Sequence, residues 1–161
     1  MSETIPTPSL PRCPVGLPHP VDAAAPRPET LAYGLTLPAA LTSPALARQV
    51  TRALLTAHGL GGMLDPAVLA VSELTATAAR FTQSADFHLS LRYRADTLRL
   101  TVYDNHPHHA HPRLAAACET RRRAALRLLT RLCRTCGGAC GFEGSREPGG
   151  GTRMWATLPG R

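Results

Sequence analysis

An α+β fold, a two-layer sandwich with helices on one face of a mainly antiparallel sheet, is predicted by three observations. Two stretches early in the folded part carry apolar residues at helical spacing. A clean two-residue alternation runs on both sides of a short turn in the middle. A third helical stretch then precedes two strand-like runs joined by glycines. The order is strand, helix, helix, strand, strand, helix, strand, strand, and helices added to such a sheet cover one face. A chain of 161 residues can bury one core, so a single domain with a tail is expected.

Residues 1–30 hold eight of the fifteen prolines and few groups able to fill a core, which predicts a disordered, polyproline-like tail. Such a tail is either a solvated leader or a docking segment. The domain is expected over 31–161. "YGLTLP" reads as its first strand. In "TSPALARQVTRALLTAHGLGG", Thr42 or Ser43 serves as N-cap, Pro44 sits in the first turn and Gly59 stops the helix. Leu46, Val50, Ala53, Leu54 and Ala57 share one face of it. Asp65 and Pro66 open a second helix, with Val68, Val71, Leu74, Ala78 and Phe81 as its stripe. In the hairpin, Phe87, Leu89, Leu91 and Tyr93 answer Leu98, Leu100 and Val102 across a turn at Arg94 to Asp96. "CETRRRAALRLLTRLCRTCGG" is the third helix, with Ala125, Leu128, Leu129 and Leu132 inward and Gly137 ending it. "ACGFEG" and "TRMWATLP" are the closing strands.

The formal charge is +7, from 18 basic and 11 acidic residues, and every basic residue is arginine. Without lysine there is no Walker-type phosphate loop, no Schiff-base chemistry and no lysine general base, since each needs a primary amine. No stretch approaches the roughly 18 apolar residues of a membrane span, and no apolar run follows basic residues at the N-terminus, so a cytoplasmic protein is expected. Five cysteines, an odd count, point to reduced thiols or a metal site rather than a disulfide framework.

In "SELTATAARF", Glu73 and Thr77 stand four apart on one face of the second helix, so Glu73 is either a general base or a solvated side chain. Asp104 ends the second hairpin strand. Together with the glycine-rich "SREPGGG" and the closing "MWATLP", this order of elements resembles the histidine-kinase-like ATPase fold of the histidine-kinase and gyrase superfamily. Within it the chain is most similar to the small bacterial anti-sigma regulatory factors that act as serine-protein kinases. The resemblance covers about residues 32–160. It implies ATP and magnesium as ligands, with Glu73 orienting the attacking hydroxyl of a serine on a protein substrate and Asp104 accepting from the adenine amino group. Pro107 matches a proline that often follows that aspartate, and Thr152 falls to the nucleotide site on the last strand. Thr77 stands where the family has the asparagine that holds magnesium. Arg123 and Ala125 stand where two glycines let backbone approach the phosphates, while Arg121, Arg122 and Arg123 offer guanidinium forks instead.

These departures lead to the expectation of a regulatory protein that binds another protein, with ATP binding weakened or lost. The alternative is an active protein-serine kinase. The resemblance names a sigma factor or an anti-sigma antagonist as partner, and homodimers are common among such proteins. Nucleic acid is a poor fit, because little aromatic interleaving accompanies the basic residues. Arg123, Arg127, Arg131 and Arg134 recur at steps of four, four and three, giving a basic stripe that is either a solvated face or a surface for an acidic partner. A second alternative is a zinc or iron-sulfur regulator. "NHPHHAHP" puts four histidines in eight residues, with prolines that let two or three imidazoles converge at most. Cys133, Cys136 and Cys140, with Cys118 upstream, are the thiols such a site would use, or they pack as small hydrophobes.

Overall fold

The structure, a computed structural model, describes residues 25–145 and 150–160. The proline-rich stretch to residue 24 and most of the link between the last two strands lie outside the described residues. Five strands, β1 (Ala32–Pro38), β2 (Asp86–Arg94), β3 (Thr97–Asp104), β4 (Ala139–Gly144) and β5 (Thr152–Pro159), form one sheet in the order β1-β2-β3-β5-β4. Every neighbouring pair is antiparallel. Burial alternates along β2, β3 and β5. Phe87, Leu89 and Leu91, then Leu98, Leu100 and Val102, then Met154, Ala156 and Leu158 all face the core. Residues of the opposite phase, such as Arg92, Arg99 and Arg153, are exposed. One face of the sheet is therefore covered and the other open, giving two layers.

The covering layer is made by α1 (Ser43–Ala57), α2 (Leu64–Phe81), α3 (Pro112–Ala125) and α4 (Arg127–Thr135). The stripe of α2 buries Val68, Val71, Leu74 and Ala78 as expected, each of the larger side chains contributing about 1.5–3 kcal/mol of transfer free energy. In α1 the buried face is rotated from the expected one: Ser43, Ala47, Thr51 and Leu55 turn inward, while Leu46 is exposed and Val50 and Leu54 are half-buried. The small side chains explain this. α1 packs chiefly on α2, whose own Ala67 and Ala70 are fully buried, and small residues let two helices approach where larger ones cannot.

The third helix also differs from expectation. It begins at Pro112, with the His111 ring accepting from Arg113 N–H at 3.3 Å as its cap, and it is interrupted at Leu126 (φ −92°, ψ 12°). Its core residues are Leu126, Leu129 and Cys133; Leu128 is exposed. The β2–β3 turn is tight, with positive φ at both Ala95 and Asp96, the geometry that follows the right-handed twist of a hairpin. Residues Arg27 to Thr30 already belong to the fold: the buried His58 ring donates from Nδ1 to Arg27 O at 2.6 Å and accepts at Nε2 from Tyr33 at 2.9 Å. Among the described residues no helix is long and apolar enough to cross a membrane.

Candidate functional site

β3 delivers Asp104 to the end of the covered face, where it is completely buried. A bare carboxylate in that position is costly, so it must be paired and hydrogen-bonded. The partner is Arg122 on α3, itself 2% exposed. Its Nη1 donates to Asp104 Oδ2 at 2.6 Å and its Nη2 to Oδ1 at 3.3 Å, a two-pronged ion pair inside the protein. The guanidinium lies 4.3 Å from the centre of the Phe81 ring, and Nη1 also meets Met154 Sδ at 3.1 Å. Asp104 Oδ1 accepts in addition from the backbone N–H of His106 at 3.0 Å, which fixes the first turn of the histidine loop.

That loop is pinned at several points. Asn105 donates to Ser84 Oγ at 2.8 Å. His106 Nδ1 meets Phe81 O at 2.9 Å; a carbonyl only accepts, so Nδ1 carries the proton. The imidazole then presents Nε2 toward His109 Nε2 at 3.1 Å and Cys118 Sγ at 2.9 Å. The other two histidines do different work: His108 lies over Gly144, where a Cβ would collide with its ring, and His111 caps α3. Behind the loop, Gly151 (φ +104°) runs so close to Asp104 O and the Tyr103 ring that a side chain there has no room.

Of the expected nucleotide residues, Pro107 and Thr152 share an opening. An opening of about 320 Å³ is lined by Pro107, Thr152, Arg122, His106, His109 and Cys118, among others. A second, of about 500 Å³, runs past Arg80, Phe81, Arg121 and the same histidines and thiol. Neither reaches Glu73, Thr77, Arg123 or Ala125. Glu73 is half-buried and Thr77 is buried, both on α2. Arg123 is exposed, paired with Glu119 one turn back and 5.4 Å from the Phe142 ring. Ala125 is half-buried at the end of α3. The basic stripe is accordingly split: Arg123 has an acidic partner on α3, while Arg127, Arg131 and Arg134 lie exposed on α4 with no acidic partner among the described residues.

Of the thiols expected to act together, three sit side by side and Cys118 does not join them. Cys133 is buried beside Cys140 and Cys136, and burial first, then those neighbours, push its thiol up to about 12. Buried in the apolar core, Cys133 packs as a small hydrophobe. Cys118 stands apart from them, and among the described residues the group able to hold a metal is His106, His109 and Cys118. A third opening, about 430 Å³ and largely apolar, lies between the start of α2 and the ends of α4 and β5, lined by Leu69, Leu132, Cys136 and Leu158.

What sequence reasoning missed is the pairing of Arg122, expected there as one of three guanidinium forks for phosphate, with Asp104. The signal was there: positions 118, 122, 126, 129 and 133 form the inward stripe of α3 and α4, and a single arginine occupies it. An arginine on a core stripe calls for a buried acid, and Asp104 was the acid already singled out. No known family model matches this chain, and no curated protein matches it significantly.

Proposed function

We propose that this chain is a regulatory protein of the histidine-kinase-like ATPase fold, related to the anti-sigma serine kinases, that works by binding another protein and has given up its nucleotide. The observation that carries the reading is the Asp104–Arg122 pair. In the resembled site an aspartate at this strand end accepts a hydrogen bond from adenine. Here both oxygens of the fully buried carboxylate already accept from a guanidinium. For adenine to take its place, Arg122 would have to leave a buried ion pair and the Phe81 ring, at a cost of several kcal/mol that an amino group cannot return. The threonine at 77 and the side chains at 123 and 125, where the family has asparagine and glycines, point the same way. The exposed Arg127, Arg131 and Arg134 suit an acidic protein surface.

Restoring the family residues tests this reading. The variant carrying Arg122→Ala, Thr77→Asn, Arg123→Gly and Ala125→Gly should bind ATP where the natural chain does not. A folded variant that still ignores ATP at millimolar concentration would count against the ancestry.

A further inference from the structure

We propose that His106, His109 and Cys118 form a binding site for a single zinc ion that ties the loop after β3 to α3. This site is independent of the nucleotide reading and uses a different set of groups from the Cys133, Cys136, Cys140 series. With its Nδ1 proton committed to Phe81 O, a neutral His106 has one lone pair, at Nε2. Two neighbours converge on that one atom, His109 Nε2 at 3.1 Å and Cys118 Sγ at 2.9 Å. One lone pair satisfies one good donor, so the arrangement is over-subscribed as a hydrogen-bond network. It is well matched to a cation receiving one electron pair from each of the three atoms.

The distances suit that occupant. Two imidazole nitrogens on a tetrahedral zinc stand about 3.3 Å apart, and a nitrogen and a thiolate sulfur about 3.6 Å. The nitrogens are already at 3.1 Å, and all three ligand atoms lie within 4.8 Å of one another. The thiol needs to swing by roughly 0.7 Å, a small rotation for a half-buried side chain on α3. The outer contact is also in place: the Phe81 carbonyl fixes the tautomer and plane of His106, the role such partners play around zinc-bound histidines. Phe81 further supports the ring edge-on, centroids 5.6 Å apart. Both clefts described above open onto the three ligands, which supplies an entry path and leaves a fourth position for water. Nitrogen and sulfur donors without a carboxylate select zinc over magnesium or calcium. When bound, the metal would clamp the histidine loop to the middle of α3, with the end of α2 held to the site through Phe81.

Cobalt(II) titration of the full, untagged, reduced and chelator-treated chain tests the site, because cobalt reports its own ligands. The expected result is one equivalent bound, with the ligand-field bands of a four-coordinate ion and a thiolate-to-cobalt charge-transfer band, both bleached by zinc. Cys118→Ser should abolish the charge-transfer band, and His109→Gln should weaken binding at least about 100-fold. Cys13→Ser, Cys136→Ser and Cys133→Ala should leave spectrum and affinity unchanged. Circular dichroism of each variant checks that it is folded. Zinc should also protect Cys118 from alkylation in the natural chain. The proposal is overturned if the natural chain takes up no cobalt or zinc at micromolar concentration, if the charge-transfer band survives Cys118→Ser, or if zinc leaves alkylation of Cys118 unchanged. The last outcome would mark a Cys–His pair rather than a metal site.

Discussion

Replacing Arg122 by methionine removes the guanidinium but keeps much of the stem's volume, so it isolates the charge. What remains is a carboxylate at Asp104 with no exposure and one hydrogen bond, from His106 N–H. Stripping one partner from a buried pair costs about 3–5 kcal/mol, most of it from the uncompensated charge. Lost stacking on Phe81 adds about 1 kcal/mol. Against a typical domain stability of about 5–15 kcal/mol this is a large fraction, and it should lower Tm by on the order of 10–20 °C. Asp104→Asn leaves the arginine buried without its counter-charge and should cost a similar amount. The double variant, Arg122→Met with Asp104→Asn, leaves no buried charge, and the asparagine carbonyl still accepts from His106. It should lie within about 2 kcal/mol of the natural chain, less harmed than either single change, which corresponds to a coupling of at least about 4 kcal/mol. Urea unfolding under reducing conditions, with m-values compared across the four proteins, measures each corner of the cycle. Single-variant losses below about 1 kcal/mol, or a double variant that costs the sum of the singles, would refute the buried pair as the anchor of this region.

Two further predictions concern the core. Thr51 Oγ1 is the one described side-chain oxygen or nitrogen that is buried without a partner, so Thr51→Val should raise stability by about 1 kcal/mol in the same urea assay. A destabilised variant would mean that the hydroxyl is satisfied. The raised Cys133 thiol sets an alkaline limit. Its ordinary value is 9.0, and the folded chain holds the proton until about 12. The unfolded chain therefore loses a proton first, and stability that is complete below pH 9 should fall as pH climbs toward 12. Tyr93, raised to about 12 chiefly by its hydrogen bond to Asp96, acts in the same direction. Cys133→Ala should flatten this alkaline decline without abolishing it, and an unchanged slope would rule out the cysteine as a cause.

The parts of the fold that were legible are those where a single periodicity decided the outcome. β2 and β3 alternate because one face is covered and the other open, and α2 shows a wide apolar stripe because it lies across the middle of the sheet. α1 misled because hydrophobicity ranks Leu46 and Val50 above Ser43, Ala47 and Thr51, whereas close packing on α2 selects for small volume. The interruption at Leu126 carries no glycine or proline to announce it, and the backbone bonds on either side persist, Leu126 N–H to Arg122 O at 3.0 Å and Thr130 N–H to Leu126 O at 2.9 Å. At the site, Asp104 and the histidine loop stood out by residue type and position. Their pairing with Arg122 and Cys118 did not, since those two residues lie 12 to 18 residues further along the chain and meet them only where α3 reaches the end of β3.

Isothermal titration of the natural chain with ATP, with and without magnesium, bears most directly on the central claim. If Arg122 holds the carboxylate that adenine would need, a folded sample should give no binding heat up to millimolar nucleotide in either condition. Micromolar binding that strengthens with magnesium would contradict the account, since it would require Asp104 to be released and Thr77 with the arginines to have replaced the family's phosphate and metal contacts.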